Sequence, residues 1–132
     1  MIQTELVGIE YDWLAIDSLG HVGWFCTAGG GIAPTDIVAR IEAHDAAIDS
    51  IMKIAPMTGD ASEGEWERAA ARGIFVFDSS FNRDPYQRVA TPVVAARIAD
   101  LPESLAIARR LQIRGDFREL AIIPTSLIDE LG

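Results

Sequence analysis

Tyr11-Asp12-Trp13-Leu14-Ala15-Ile16-Asp17-Ser18-Leu19-Gly20-His21-Val22-Gly23-Trp24-Phe25-Cys26-Thr27 is the stretch that decides the fold. Two β-prone runs, Tyr11 to Asp17 and His21 to Thr27, flank Ser18-Leu19-Gly20. An Asp side chain can bond its own backbone two residues on, and Gly accepts positive φ, so Asp17 and Gly20 frame a hairpin turn. Side chains alternate along a strand. Tyr11, Trp13 and Ala15 therefore share one face, Leu14 and Ile16 the other, and Trp24 and Phe25 point to opposite faces. Apolar bulk on both faces predicts a hairpin in the middle of a sheet, covered on two sides.

Beyond the hairpin, Ala28-Gly29-Gly30-Gly31 breaks the pattern and Pro34 follows. Thr35 is placed to cap a helix, and Asp36 in its first turn suits the helix dipole. Ile37, Ile41, His44, Ile48, Ile51 and Ala55 then recur at helical spacing, which predicts one long helix ended by Pro56. Residues 57–63 read as a polar loop, and Glu65 to Arg72 as a short helix stopped by Gly73. Ile74 to Asp78 has the apolar density of a buried strand, with a turn over 79–85 and a returning strand from Tyr86 to Thr91. Pro92 excludes a central strand directly after it. Pro102-Glu103 opens a helix to about Leu111, and Phe117 to Ile123 is expected as the last strand. The expected fold is a single α+β domain over residues 1–132. Its sheet should be mainly antiparallel and built from hairpins, with two to three helices packed on one face.

The 132 residues are 49% apolar and 23% charged, as in an ordinary globular domain. The first residues lack the basic start and apolar run of a secretory signal, and no apolar run approaches a bilayer span, so a cytoplasmic location is expected. Cys26 is the lone cysteine, which rules out an internal disulfide and a shared thiolate metal site. The net charge of −9 argues against nucleic acid and anionic membranes as partners. Up to residue 73 there are 12 acids against four basic residues, so −8 of the −9 lies in that half.

Several patterns resemble active sites and fall short of one. The three adjacent glycines lack the spacing of a dinucleotide loop and the Gly-Lys-Ser/Thr of a P-loop. His44-Asp45 resembles a metal-site pair, yet His21 is the only other histidine, and His44 falls on the apolar stripe. His44 reads as a core residue, and His21, just past a turn, as exposed. Cys26 has no third orienting group beside it and reads as a packed small hydrophobe. Ser79-Ser80 lies in no nucleophile elbow. No cofactor, metal ligand set or catalytic residue is expected.

Glu42, Asp45 and Asp49 stack three carboxylates along one helix flank, at a cost of a few tenths of a kcal/mol per pair. Asp60, Glu63, Glu65 and Glu67 continue the acidity around Trp66, a residue type suited to anchoring an interface. These eight residues are the candidate partner-binding set.

The hairpin Tyr11 to Asp17, with Gly20 to Phe25 and the exit Thr27-Ala28-Gly29, resembles the opening of small bacterial immunity proteins of polymorphic toxin systems. The likeness covers about 20 of the 132 residues. It implies a cytoplasmic, non-enzymatic binder that neutralises a toxin, often a nuclease, and a basic toxin would suit an acidic face. Two other expectations stand beside it: a small hydrolase or metal-dependent enzyme using His44 and nearby carboxylates, and a homo-oligomeric regulatory or structural module, such as a homodimer.

Overall fold

The computed structural model of the chain describes residues 2–3, 11–27, 33–59, 64–79 and 85–130. Its strands are β1 (Ile2–Gln3), β2 (Asp12–Asp17), β3 (Val22–Cys26), β4 (Ala33–Pro34), β5 (Phe75–Asp78), β6 (Tyr86–Ala90), β7 (Leu111–Ile113), β8 (Ile122–Ile123) and β9 (Ile128–Glu130). The α-helices are α1 (Thr35–Val38), α2 (Ile41–Ile51) and α3 (Glu65–Ala71), and a 3₁₀ helix covers Glu103–Arg110.

The hairpin forms as its residues dictate. Asp17 Oδ1 accepts the amides of Leu19 at 2.9 Å and His21 at 2.8 Å. Gly20 takes φ +85. Trp13 pairs with Phe25 and Leu14 with Trp24 across the strands. β2 and β3 lie at the centre of a seven-stranded sheet of order β8-β6-β5-β3-β2-β7-β9.

The fold is α+β, but the sheet is mixed: β3–β5 and β2–β7 are parallel pairs. The expectation of a mainly hairpin-built sheet misses both. Sequence-adjacent strands fold back into antiparallel pairs at low cost, whereas a parallel pair needs a crossover that local pattern does not reveal. Between β3 and β5 that crossover carries α1, α2 and α3.

The sheet is also strongly curled. Seven flat strands would hold β8 and β9 about 29 Å apart, six spacings of about 4.8 Å. Yet Ile123 and Ile128 are five residues apart in sequence, a reach of about 18 Å at most. The two edges must therefore approach, giving a partly rolled barrel. Its concave side holds Trp13, Phe25, Phe75, Phe77, Tyr86 and Phe117, with Ile123 and Ile128 from the two edges. Trp13 and Phe77 stack on either side of Phe25, with ring centroids at 4.3 and 4.8 Å. Trp13 Nε1 donates to the Tyr86 hydroxyl at 3.3 Å, and burial holds that hydroxyl's pKa well above its usual range.

The convex side packs Leu14, Trp24 and Val76 against Ala47 and Ile51 of α2, Ala69 of α3, and Leu105 and Ala108. These three helices do share one face, as the pattern predicts. The stripe from Ile37 to Ala55 is not one helix, however. It breaks at Ala39-Arg40, because Ile37 enters the concave core while Ala47 and Ile51 serve the convex one. It also ends at Ile51, leaving Ala55 exposed; the Arg72 guanidinium takes the Ile54 carbonyl at 2.8 Å.

The segment after Pro102 is 3₁₀ and not α. A three-residue period brings Leu105 and Ala108, both buried, to one side. The expected strand from Phe117 to Ile123 shrinks to β8, because Asp116 accepts the Glu119 and Leu120 amides in a turn. β7 and β9 were not foreseen.

Gly73 ends α3 at φ +88, and a Cβ there would stand 2.7 Å from the Ala96 amide nitrogen. Gly73→Ala therefore meets both left-handed backbone strain and a backbone clash. It should cost about 2 kcal/mol or more, read as a fall in urea midpoint.

A candidate acidic docking cleft

Asp12 and Trp24 lie diagonally across the hairpin on its convex face, where the Trp24 indole nitrogen donates to Asp12 Oδ2 at 3.0 Å. α2 runs over this face with Ala47 and Ile51 inward, which turns Asp45 and Asp49 outward. α3 begins beside them with Glu65. Together Asp12, Trp24, Asp45, Ile48, Asp49, Met52 and Glu65 line a cleft of about 420 Å³. Its wall is apolar at Trp24, Ile48 and Met52, and four carboxylates from three parts of the chain surround it. No Lys or Arg among the described residues lines it.

Three of the eight expected residues meet here: Asp45, Asp49 and Glu65. Glu42 faces a separate shallow hollow beside Val38 and Arg40, one turn before the cleft. Glu67 lies on the opposite side of α3, beside Val89 and Val93. Trp66 is half-buried against the convex core. Asp60 and Glu63 lie outside the described residues. Asp12 and Trp24 were missed, although alternation from Leu14 places Asp12 on the convex face and Trp24 one diagonal step away.

The carboxylates of the cleft do not converge as metal ligands. Among the described residues, the one group of His, Cys, Asp or Glu with ligand atoms within 4.8 Å of one another is Asp17, His21 and Asp116. That group is a structural knot. Besides the two turn amides on Oδ1, Asp17 Oδ2 accepts the Phe117 amide and His21 Nδ1, both at 2.8 Å. Four bonds use the lone pairs that a metal would need. Arg118 chelates Asp116 and holds its carboxyl down at about 2. His21 is thereby buried, against the expectation that it is exposed: the 115–118 turn folds over the hairpin turn, and Gly115 exchanges bonds with Ser18.

His44 is a core histidine, as its place on the stripe predicts, with 0% exposure. Its Nδ1 accepts the Leu14 amide at 3.0 Å. Within β2, β7 pairs with Ile16 and Asp17 alone, so on that side of β2 the imidazole stands where β7 does not reach. With Nδ1 accepting, Nε2 carries the proton, and it has no partner among the described residues. His44 is buried and the adjacent Asp45 is exposed, about 100° away around α2, so these two side chains do not pair; the carboxylate that acts on the His44 ring is Asp36.

Burial, opposed by Asp36 and reinforced by Arg110 and Arg40, lowers the His44 pKa from 6.5 to about 4. The fold thus favours the neutral ring. The stability linked to it is complete above pH 6.5 and is lost as pH falls through about 4, to the extent of about 3 kcal/mol. His44→Gln, which keeps an acceptor for Leu14, should flatten the stability profile across that window while costing stability at neutral pH. Urea titrations at stepped pH would check this; an unchanged slope would mean that His44 does not titrate there.

Among the described residues no helix is long and apolar enough to cross a membrane. Compared with known proteins, the chain matches no family model, no curated protein and no solved structure.

Proposed function

We propose that this chain is a non-enzymatic binding protein that captures a basic protein partner at the acidic cleft between α2 and α3, in the manner of an immunity-type inhibitor. The observation that carries this reading is the convergence of Asp45, Asp49 and Glu65, with Asp12, around Trp24, where no Lys or Arg among the described residues lines the cleft. The like charges of exposed Asp45, Asp49 and Glu65 repel one another, and a partner's Lys or Arg relieves that repulsion. Arg suits the site better, because its planar guanidinium can stack on an indole while its donors reach carboxylates.

Magnitudes assign the cleft its role. An exposed ion pair is worth about 0.2–1 kcal/mol, so the three exposed carboxylates give about 0.6–3 kcal/mol. That alone is weaker than millimolar binding, which needs about −4 kcal/mol. Its contribution is rapid, selective encounter with a basic surface, as complementary potentials provide.

Titration with hexa-arginine, followed by the indole N–H resonance of Trp24, tests the reading. The peptide should shift that resonance and the Asp45 and Asp49 amides, the effect should fade as salt rises, and hexaglutamate should do nothing. Equal responses to both peptides, or no response at the cleft, would remove the cleft from the account.

A further inference from the structure

The register of β5 against β6 slips between Val76 and Phe77: Val76 pairs with Ala90, and Phe77 with Arg88. Val89 is the extra residue of this bulge. Bulges re-aim side chains, and here Val89 is turned to solvent at 39% exposure. Beside it, Val93 is 87% exposed and Val94 49%. Ala70 and Ala71 of α3 form the opposite wall, and Val89, Ala90 and Val93 the near one, of a groove of about 320 Å³. Glu67 stands on its lining, and Arg68, the basic residue of α3, does not line it. Val89 and Val93 thus place exposed apolar side chains on the groove wall.

Resting on the reading of the cleft as a basic partner's site, we infer that this groove is the apolar half of the same docking surface. It would seat an aliphatic side chain of the basic partner, while that partner's cationic side chains reach across α3 to the cleft. Charge selects the occupant. α3 presents Glu65 to the cleft and Glu67 to the groove, with exposed Arg68 between them on the helix surface, so a basic amphipathic segment finds carboxylates at both ends of its contact. A second copy of this chain, at −9, would bring like charge against like charge.

The test uses two probes, a lysine/leucine amphipathic peptide and a twin with every leucine replaced by glutamine. The leucine peptide should shift the methyl resonances of Val89 and Val93 and the Ala70 amide, and the twin should shift the cleft alone. Val93→Gln, at a solvent-exposed position that should leave thermal unfolding unchanged, should weaken the leucine peptide about tenfold and leave the twin unaffected. If the leucine peptide also moves only cleft resonances, the groove proposal fails and the cleft reading survives. If the leucine peptide moves the groove but the twin leaves the cleft still, the cleft reading fails by itself. Concentration-dependent shifts of Val89 and Val93 without peptide would overturn the proposal in favour of a homodimer.

Discussion

Phe25→Ala should lower the unfolding free energy by about 3–5 kcal/mol. Phe25 lies at the centre of the concave core. Trp13 and Phe77 stack on it, and the edges of Tyr86 and Phe117 meet it at centroid distances of 5.3 and 6.0 Å. Those rings come from β2, β5, β6 and the turn after β7, so truncation opens a void that no single element can collapse to fill. Aromatic pairs add about 0.5–1.5 kcal/mol each beyond burial. Against a total stability of about 5–15 kcal/mol, the variant should be close to unfolding at physiological temperature. Phe25→Leu fills most of the void and should cost only about 1–2 kcal/mol. Urea unfolding of both variants checks this. A loss under about 1 kcal/mol for the alanine would show that the rolled sheet is not held by this stack.

Asp17→Ala should be comparably severe, at about 3–5 kcal/mol, for a different reason. Its carboxylate is 1% exposed and accepts the amides of Leu19, His21 and Phe117 and the ring nitrogen of His21. Alanine leaves four donors without acceptors where water has little access. It also unties the hairpin turn from the 115–118 turn, a tie that spans 100 residues of sequence. Asp17→Asn keeps the shape but turns an NH₂ toward N–H donors, so it should recover only part of the loss. Full stability in Asp17→Asn would mean that shape, not charge, holds the knot.

What could be read from the sequence followed the range of the forces involved. The hairpin, its turn at Asp17 and Gly20, and the two faces of Tyr11 to Ile16 are set by neighbours within a few residues. α3 and its stop at Gly73 are local in the same sense. His44 was legible because helical spacing places it on the apolar stripe. The parallel pairs β3–β5 and β2–β7 depend on partners a crossover away, and neither leaves a periodic trace. The break at Ala39-Arg40 arises because one apolar stripe serves two cores, a division that exists only once the sheet has rolled. His21 looked exposed because the group that covers it lies near residue 116. At the cleft, Asp45, Asp49 and Glu65 could be nominated from charge alone. Their separation from Glu42 and Glu67, and their meeting with Asp12 and Trp24, required the hairpin and helices to be placed against each other.

The central claim is that the acidic cleft holds a basic partner. The most direct measurement immobilises the wild-type chain and the triple variant D45K/D49K/E65K, and compares the proteins each retains from the source cell as salt is raised. All three positions are exposed, so the variant should unfold at the wild-type temperature. The account predicts that the wild-type chain retains a basic protein, that this protein elutes progressively with salt, and that the triple variant does not retain it. Equal retention of the same partner by the triple variant, with the same salt dependence, would contradict the account.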